Sequence, residues 1–222
     1  MCFFCVIMEH IAMGMIYMCK EIWIKANAIT LLGVICAITG MLLCFIGHPG
    51  FAAVLLAVSG ICDGFDGYFA KKVRKPHQSS EYGVELDSLA DIVCAGVFPV
   101  TLSMSLGFTK WYSLIIYILF IMCGITRLTY YNVNSSDKKF FNGVPITVSA
   151  FLIPTVYFIF RNAVESKWFM IALMAAFLIL SISYVTNVKI KKPTLQERTI
   201  WSVIGFIICA VVVFLLVKGF IK

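Results

Sequence analysis

The sequence predicts an all-α fold, a polytopic membrane helix bundle, and three observations predict it. Hydrophobic residues make up 61% of the 222 positions and charged residues 13%, against roughly 45–50% and about 25% in soluble domains. A chain of this size has too little interior to hide that excess in one core. The apolar residues gather into seven runs of about the length that a bilayer core of ~30 Å requires of a helix. The breaks between the runs are polar or built from turn formers, so each run reads as a separate span.

The elements follow in order. The apolar stretch Met1 to Met8 lacks the basic n-region of a signal peptide, and no small-residue cleavage site follows it. Residues 17–26 mix Lys20 and Lys25 with Ile22 and Trp23. That suits a helix lying at the membrane interface; a plain extension of the first span fits equally. The first span is 28–46, closed by Gly47-His48-Pro49-Gly50, and the second is 51–70. A polar loop from Lys71 to Glu81, containing Pro76, leads to a third span at 84–106. The fourth, 111–130, ends before the polar segment Asn134 to Asn142; the fifth and sixth, 144–161 and 167–187, are separated by Arg161 to Lys167. Lys189 to Arg198, with Pro193, precedes a seventh span at 200–218. The expected organisation is an N-terminal segment (1–26), a six-helix transmembrane domain (27–190), and a loop with an accessory seventh helix (191–222).

The charge balance of 18 basic to 11 acidic residues is the pattern of cytosolic loops facing anionic headgroups rather than of a nucleic-acid partner. With a cytosolic N-terminus, Lys110, Arg161, Lys167, Lys218 and Lys222 fall outside and every other cation falls on or near the cytosolic side. The nine cysteines are odd in number, mostly lie within apolar runs and form no framework, which argues against a disulfide scaffold. Cys2 and Cys5 have C-x-x-C spacing, but no second pair follows to complete a zinc site. His10, His48 and His77 read as solvated or interfacial, without a catalytic partner.

Four acids stand where acids are costly. Asp63 and Asp66 lie near the cytosolic end of the second span, and Asp87 and Asp91 at the cytosolic start of the third. A carboxylate within a membrane helix costs at least about 2.5 kcal/mol and is functional by default. Spacings of i, i+3 and i, i+4 put each pair on one helix face. The two helices are neighbours in sequence, so four carboxylates are expected to converge at one depth. They cannot all stay ionised in low dielectric without a counter-charge. A structural ion-pair network is one answer; a hard divalent cation suits carboxylate oxygens better. Gly60, Gly64, Gly67 and Gly83 surround the acids, as close helix contact or close approach of a ligand requires. Lys71, Lys72, Arg74 and Lys75 follow as a positive-inside flank that can also meet phosphate. Metal, phosphate and a spare carboxylate together suggest phosphoryl transfer at the membrane surface.

The stretch Asp63-Gly-Phe-Asp66-Gly67-Tyr-Phe-Ala70-Lys71, followed by Gly83-Val-Glu-Leu-Asp87-Ser-Leu-Ala-Asp91, resembles the signature of the CDP-alcohol phosphatidyltransferase family, D-x-x-D-G-x-x-A-R then G-x-x-x-D-x-x-x-D. Within that family, Tyr82 to Val93 with Gly96-Val-Phe-Pro99, then Arg127-Leu-Thr-Tyr-Tyr-Asn132-Val and Phe141-Asn-Gly143-Val-Pro145, are most similar to the phosphatidylserine synthases. Asn27-Ala-Ile-Thr30-Leu-Leu-Gly33 resembles the N-x-x-T-L-x-G opening of the first helix. The likeness covers roughly residues 25–190. Lys71 replaces the signature arginine and keeps its charge without its bidentate fork. Ala26 replaces a proline, Tyr130 replaces the second arginine of R-L-A-R-F-N, and the spacer from Lys72 to Tyr82 is longer than usual.

The resemblance implies a phosphatidyl transfer from CDP-diacylglycerol to L-serine, with release of CMP, at the cytosolic face of a prokaryotic plasma membrane. It implies Asp63, Asp66 and Asp87 as ligands of Mg2+ or Mn2+, with Asp91 as general base or a further ligand. Gly67, Ala70 and Gly83 would line the cytidine diphosphate pocket, with Lys71 near a phosphate and Asn27 and Thr30 touching the nucleotide. A serine acceptor needs a cation for its carboxylate: Arg127 is the candidate, against a plain snorkelling arginine, and Asn132 is a second contact. Ser88 reads as a small residue at a helix contact rather than a nucleophile. A homodimer among membrane lipids is implied as well. The rival readings are a family member using glycerol phosphate or inositol phosphate, and a cation transporter. The clustering of the acids at one end disfavours transport.

Overall fold

The computed structural model describes residues 25–72, 77–133, 140–142, 144–160, 166–186 and 189–191, with side-chain surroundings for 27–65, 82–133, 144–160 and 166–186. The expected interfacial helix over 17–26 and the seventh span at 200–218 lie outside these residues, apart from Lys25 and Ala26.

Helix α1 spans Lys25–Ile46 and α2 spans Pro49–Lys72. The turn between them is written in the sequence. Gly47 has φ +89°; its amide donates to Cys44 O at 3.2 Å, and the His48 amide donates to Leu43 O at 2.9 Å. These are the two reversed bonds of a Schellman cap, which needs a left-handed residue and so selects glycine. Pro49 then opens α2, where its missing N–H removes no helical bond.

Helix α3 spans His77–Asp91, continues as a π-helical segment Ile92–Val97, and resumes as α4, Phe98–Ser105. The expected loop from Lys71 to Glu81 is corrected: its two ends are helical, because Lys71 and Lys72 extend α2 and His77 to Glu81 belong to α3. Lys71-Lys72 and His77 to Glu81 flank Pro76 and contain neither glycine nor proline themselves, and such polar residues continue a helix readily. A second glycine-capped turn follows α4. Gly107 has φ +91°, with Gly107 N donating to Met104 O at 3.0 Å and Phe108 N to Ser103 O at 3.4 Å.

Helix α5 spans Trp111–Val133, α6 Val148–Ile159 and α7 Lys167–Val185, the last capped by Ser166, whose Oγ accepts from Trp168 N. Among the described residues, four helical stretches are long and apolar enough to cross a bilayer: Asn27–Ile46, Tyr82–Ser105, Trp111–Val133 and Lys167–Val185. Pro49–Phe65 and Val148–Ile159 are shorter apolar helices beside them. The chain is an integral membrane protein built as a helix bundle. The fifth expected span, 144–161, is only twelve residues of helix, since Val144 and Pro145 precede it as non-helical chain.

One feature was not expected from the pattern. Strand β1, Phe140–Asn142, pairs antiparallel with β2, Lys189–Lys191, in the register Phe140↔Lys191, Phe141↔Ile190 and Asn142↔Lys189. Three residues on each side are too few to leave an alternation in the sequence. The ribbon ties the segment after α5 to the segment after α7.

Helix α1 packs against α2, α3 and α4; α2 packs against α6; α5 packs against α7. Close approach is set by glycines. A Cβ on Gly40 would lie 2.1 Å from Cζ of Phe98, and one on Gly60 would lie 2.8 Å from Cβ of Ala150. Fully buried Phe98, Phe120, Phe169 and Phe177 fill the centre. Phe177 meets Phe120 edge-on at 5.0 Å and Tyr117 at 5.2 Å, a favoured aromatic geometry. Outward positions such as Phe45, Ile118, Ile159 and Ile182 are exposed apolar residues, as a lipid-facing surface requires.

Candidate active site

The α1–α2 hairpin sets the first half of the site. A Cβ on Gly33 would lie 3.1 Å from Cys62 Cβ and 3.5 Å from Ser59 O, so the helices nearly touch there. They run antiparallel, so successive turns of α1 before Gly33, carrying Thr30 and then Asn27, lie level with the α2 backbone from Asp63 onward. Asn27 and Thr30 are buried, at 3% and 7% exposure, on the same face as Ala37 and Gly40. Both are engaged within the protein.

Helix α3 brings the second half. Asp87 and Asp91 are half-buried and one turn apart. The Oδ1 atom of Asp87 is sealed from solvent and receives no hydrogen bond from the described residues, although the residue has interactions of its own. Between the two acids, Ser88 Oγ donates to Val84 O at 3.0 Å and accepts from Asn132 Nδ2 at 2.9 Å. The expected helix-contact role of Ser88 therefore takes a specific form: Asn132 on α5 is hydrogen-bonded to α3 between its two aspartates.

Arg127 is the third contributor. At 8% exposure it is buried in the bundle, so the snorkelling alternative does not hold. It lies in the field of Asp91 foremost, then Tyr184, Tyr131 and Asp63. Its Nε is buried with no hydrogen-bond partner among the described residues. Cys94, one turn beyond Asp91, likewise feels both Asp91 and Asp63. Helices α2, α3 and α5 thus bring Asp63, Asp91 and Arg127 into one electrostatic cluster. A buried guanidinium needs opposite charge nearby, and these aspartates supply it.

The remaining sequence candidates are positioned less fully. Asp66, Gly67, Ala70 and Lys71 continue α2 beyond Asp63, and their side chains lie outside those described. Gly83 is half-buried on α3. Tyr130, where the family motif has a second arginine, is 52% exposed and on the outer side of α5. Among the described residues no three metal-ligating side chains are gathered into one group; the set at hand is Asp63, Asp87 and Asp91. Carboxylate oxygens alone, without sulfur or imidazole, fit a hard divalent cation in their chemistry. Cys62 and Cys94, close to the acids in the sequence, lie on helices and form no disulfide among the described residues.

Sequence reasoning missed a buried polar cluster beneath the acids. Ser149 Oγ, fully buried, contacts Ala95 O at 2.5 Å and Ile146 O at 2.9 Å. Tyr184 OH donates to Ile146 O at 3.1 Å, within range of Arg127 and Asp91. The available signal was Pro99, a proline in the middle of an expected span.

Residues 23–185 match the family model for CDP-alcohol phosphatidyltransferase, and the chain belongs to this family. Among curated proteins it is 31% identical over 146 residues to archaetidylserine synthase of Methanothermobacter thermautotrophicus, covering 65% of this chain and 62% of the relative. It is 33% identical over 134 residues to CDP-diacylglycerol–serine O-phosphatidyltransferase of Methanocaldococcus jannaschii, covering 60% of each chain. The protein of the same description from Saccharomyces cerevisiae is 31% identical over 118 residues, covering 48% of this chain and 42% of the relative. The chain thus spans less than two thirds of the length of these relatives.

Proposed function

We propose that the protein transfers a phosphatidyl group from CDP-diacylglycerol to the hydroxyl of L-serine, giving phosphatidylserine and CMP. The observation that carries this reading is Arg127, buried with its Nε lacking a hydrogen-bond partner among the described residues, inside a CDP-alcohol phosphatidyltransferase domain whose helices also carry Asp63 and Asp91. It joins a base and a carboxylate-binding cation, the two groups that an amino-acid alcohol requires. The relatives are named for different lipids and share serine.

Asp63, Asp66 and Asp87, with Asp91 beside them, would hold Mg2+ or Mn2+. When bound, such an ion offsets the charge of the pyrophosphate and of the departing CMP. The chain's own groups do the rest. Asn27, Thr30, Gly67, Ala70 and Gly83 line the nucleotide site and Lys71 meets a phosphate. Asp91 takes the proton of the serine hydroxyl as its oxygen bonds to the lipid-side phosphorus and the bond from that phosphorus to the CMP oxygen breaks. Arg127 pairs with the serine carboxylate, where its buried Nε is an available donor. Asn132 Nδ2 is committed to Ser88, so its amide oxygen is the end assigned to the serine ammonium. The site opens to the cytosol, and the protein works among membrane lipids as a homodimer.

The test is an acceptor panel with purified protein, CDP-diacylglycerol and either Mg2+ or Mn2+, scored by CMP release. Serine should drive release, chelation of the metal should stop it, and glycerol phosphate or inositol phosphate should not substitute. Release with a phosphorylated acceptor and none with serine overturns the reading.

A further inference from the structure

Pro99 explains the π-helical segment that follows Asp91. Proline has no N–H, and its ring clashes with the carbonyl four residues back, here Ala95. Opening the preceding turn to i→i−5 bonding relieves the clash; accordingly Phe98 N–H reaches Val93 O. An α turn would have satisfied Ala95 O with the amide of residue 99, which Pro99 lacks. The Ser149 hydroxyl of α6 lies 2.5 Å from that carbonyl, and both residues are fully buried. The hydroxyl has one proton, and of the two carbonyls within its reach the nearer is that of Ala95 rather than Ile146.

The location gives this bond its consequence. One residue added to a turn rotates the helix that follows by about 100° relative to the helix before it. The π segment thereby sets the phase between α3, which carries Asp87 and Asp91, and α4, whose Phe98 is seated on Gly40. Ser149 is itself held in place by the next residue, Ala150, against Gly60 of α2, one turn from Asp63. A continuous path therefore runs from the Asp63 turn through Gly60, Ala150, Ser149 and Ala95 to Asp91.

We propose that Ser149 is a positioning residue: by donating to Ala95 O it maintains the Pro99-induced π turn and so aims Asp91 at the cluster with Asp63 and Arg127. The kinetic half of this inference rests on the transferase reading above; the conformational half does not. The experiment compares wild type, S149A, S149T and P99A in detergent micelles. Spin labels are introduced as unnatural amino acids at the exposed positions Leu89 and Met104, which bracket the π segment.

S149A should lower kcat at least about tenfold while KM for serine and CDP-diacylglycerol changes less than about threefold. S149T keeps the hydroxyl and should recover most of that loss. P99A returns an amide to Ala95 and should also lose kcat as the turn closes to α. The label-to-label distance should shift in S149A and P99A and hold in S149T. If S149A does not fold, P99A decides. Wild-type distance together with wild-type kcat in P99A overturns the proposal. So does a folded S149A with an unchanged distance. If wild type releases no CMP with any acceptor, the transferase reading has failed, and the distances alone decide the conformational claim.

Discussion

Arg127 is buried in the interior of a membrane protein, and half-buried Asp91 supplies opposite charge that makes this burial tolerable. Their proposed tasks separate experimentally. D91N keeps the shape and removes the base, so kcat should fall by about 10²–10⁴, the usual range for a general base, while labelled CDP-diacylglycerol still binds. Near-normal CMP release from this variant would remove Asp91 from that role. R127K keeps the charge and loses the planar fork. KM for serine should rise at least about tenfold, in line with one lost charge-assisted hydrogen bond, with KM for CDP-diacylglycerol unaltered; equal effects on both substrates would contradict a serine contact. The acids were legible in the sequence because an aspartate in an apolar span has few innocent explanations. Ser149 and Tyr184 were not, because serine and tyrosine are ordinary in such spans and their hydrogen bonds join residues as far apart as Ala95 and Ser149.

At the scale of elements, helix contacts are decided where a side chain is missing. Gly40 accepts the ring of Phe98 directly against its backbone, and this fixes α4 against α1. G40A places a methyl where the ring now is, and overpacking of this kind costs about 1–3 kcal/mol. The expected result is a lower unfolding temperature in detergent, and a variant as stable as wild type would show that Phe98 has room to move. Gly60, read in the sequence as a residue of close helix contact or ligand approach, meets Ala150, a partner visible only with the fold. Helix existence was legible for every described span because the apolar runs are long. Helix ends were less so. The Lys71 to Glu81 segment reads as a loop by polarity, yet most of it is helix, since polar residues outside a bilayer are as compatible with a helix as with a loop. The π segment left only Pro99 as its trace.

For the whole molecule, the alternation of the helices makes a directional prediction. The Gly47-His48 turn, the Gly107 to Lys110 turn and Ser166 fall at one end of the bundle. The acidic end of α2 and the start of α3 fall at the other. With the positive-inside orientation, an impermeant maleimide on intact cells should label a cysteine placed at His48 or Thr109, both exposed, in a background lacking native cysteines. A cysteine at His77 should react only after permeabilisation. The opposite pattern would put the site on the outer face, away from the cytosolic pool of acceptor.

Local sequence alone specifies the solvent, the order of the described spans, the glycine-bearing turn after the first of them and the identity of the four acids. All of these rest on local chemistry: apolar run length, a left-handed turn residue, a charge where charge is costly. Which groups from different helices meet is settled by packing. The burial of Arg127 within the bundle, Asn132 held by Ser88, and the contact of Ser149 with Ala95 O depend on the rotation of each helix about its axis. That rotation is set by where glycine lets two backbones approach and where a proline adds a residue to a turn, and a linear pattern of apolar residues carries little of it.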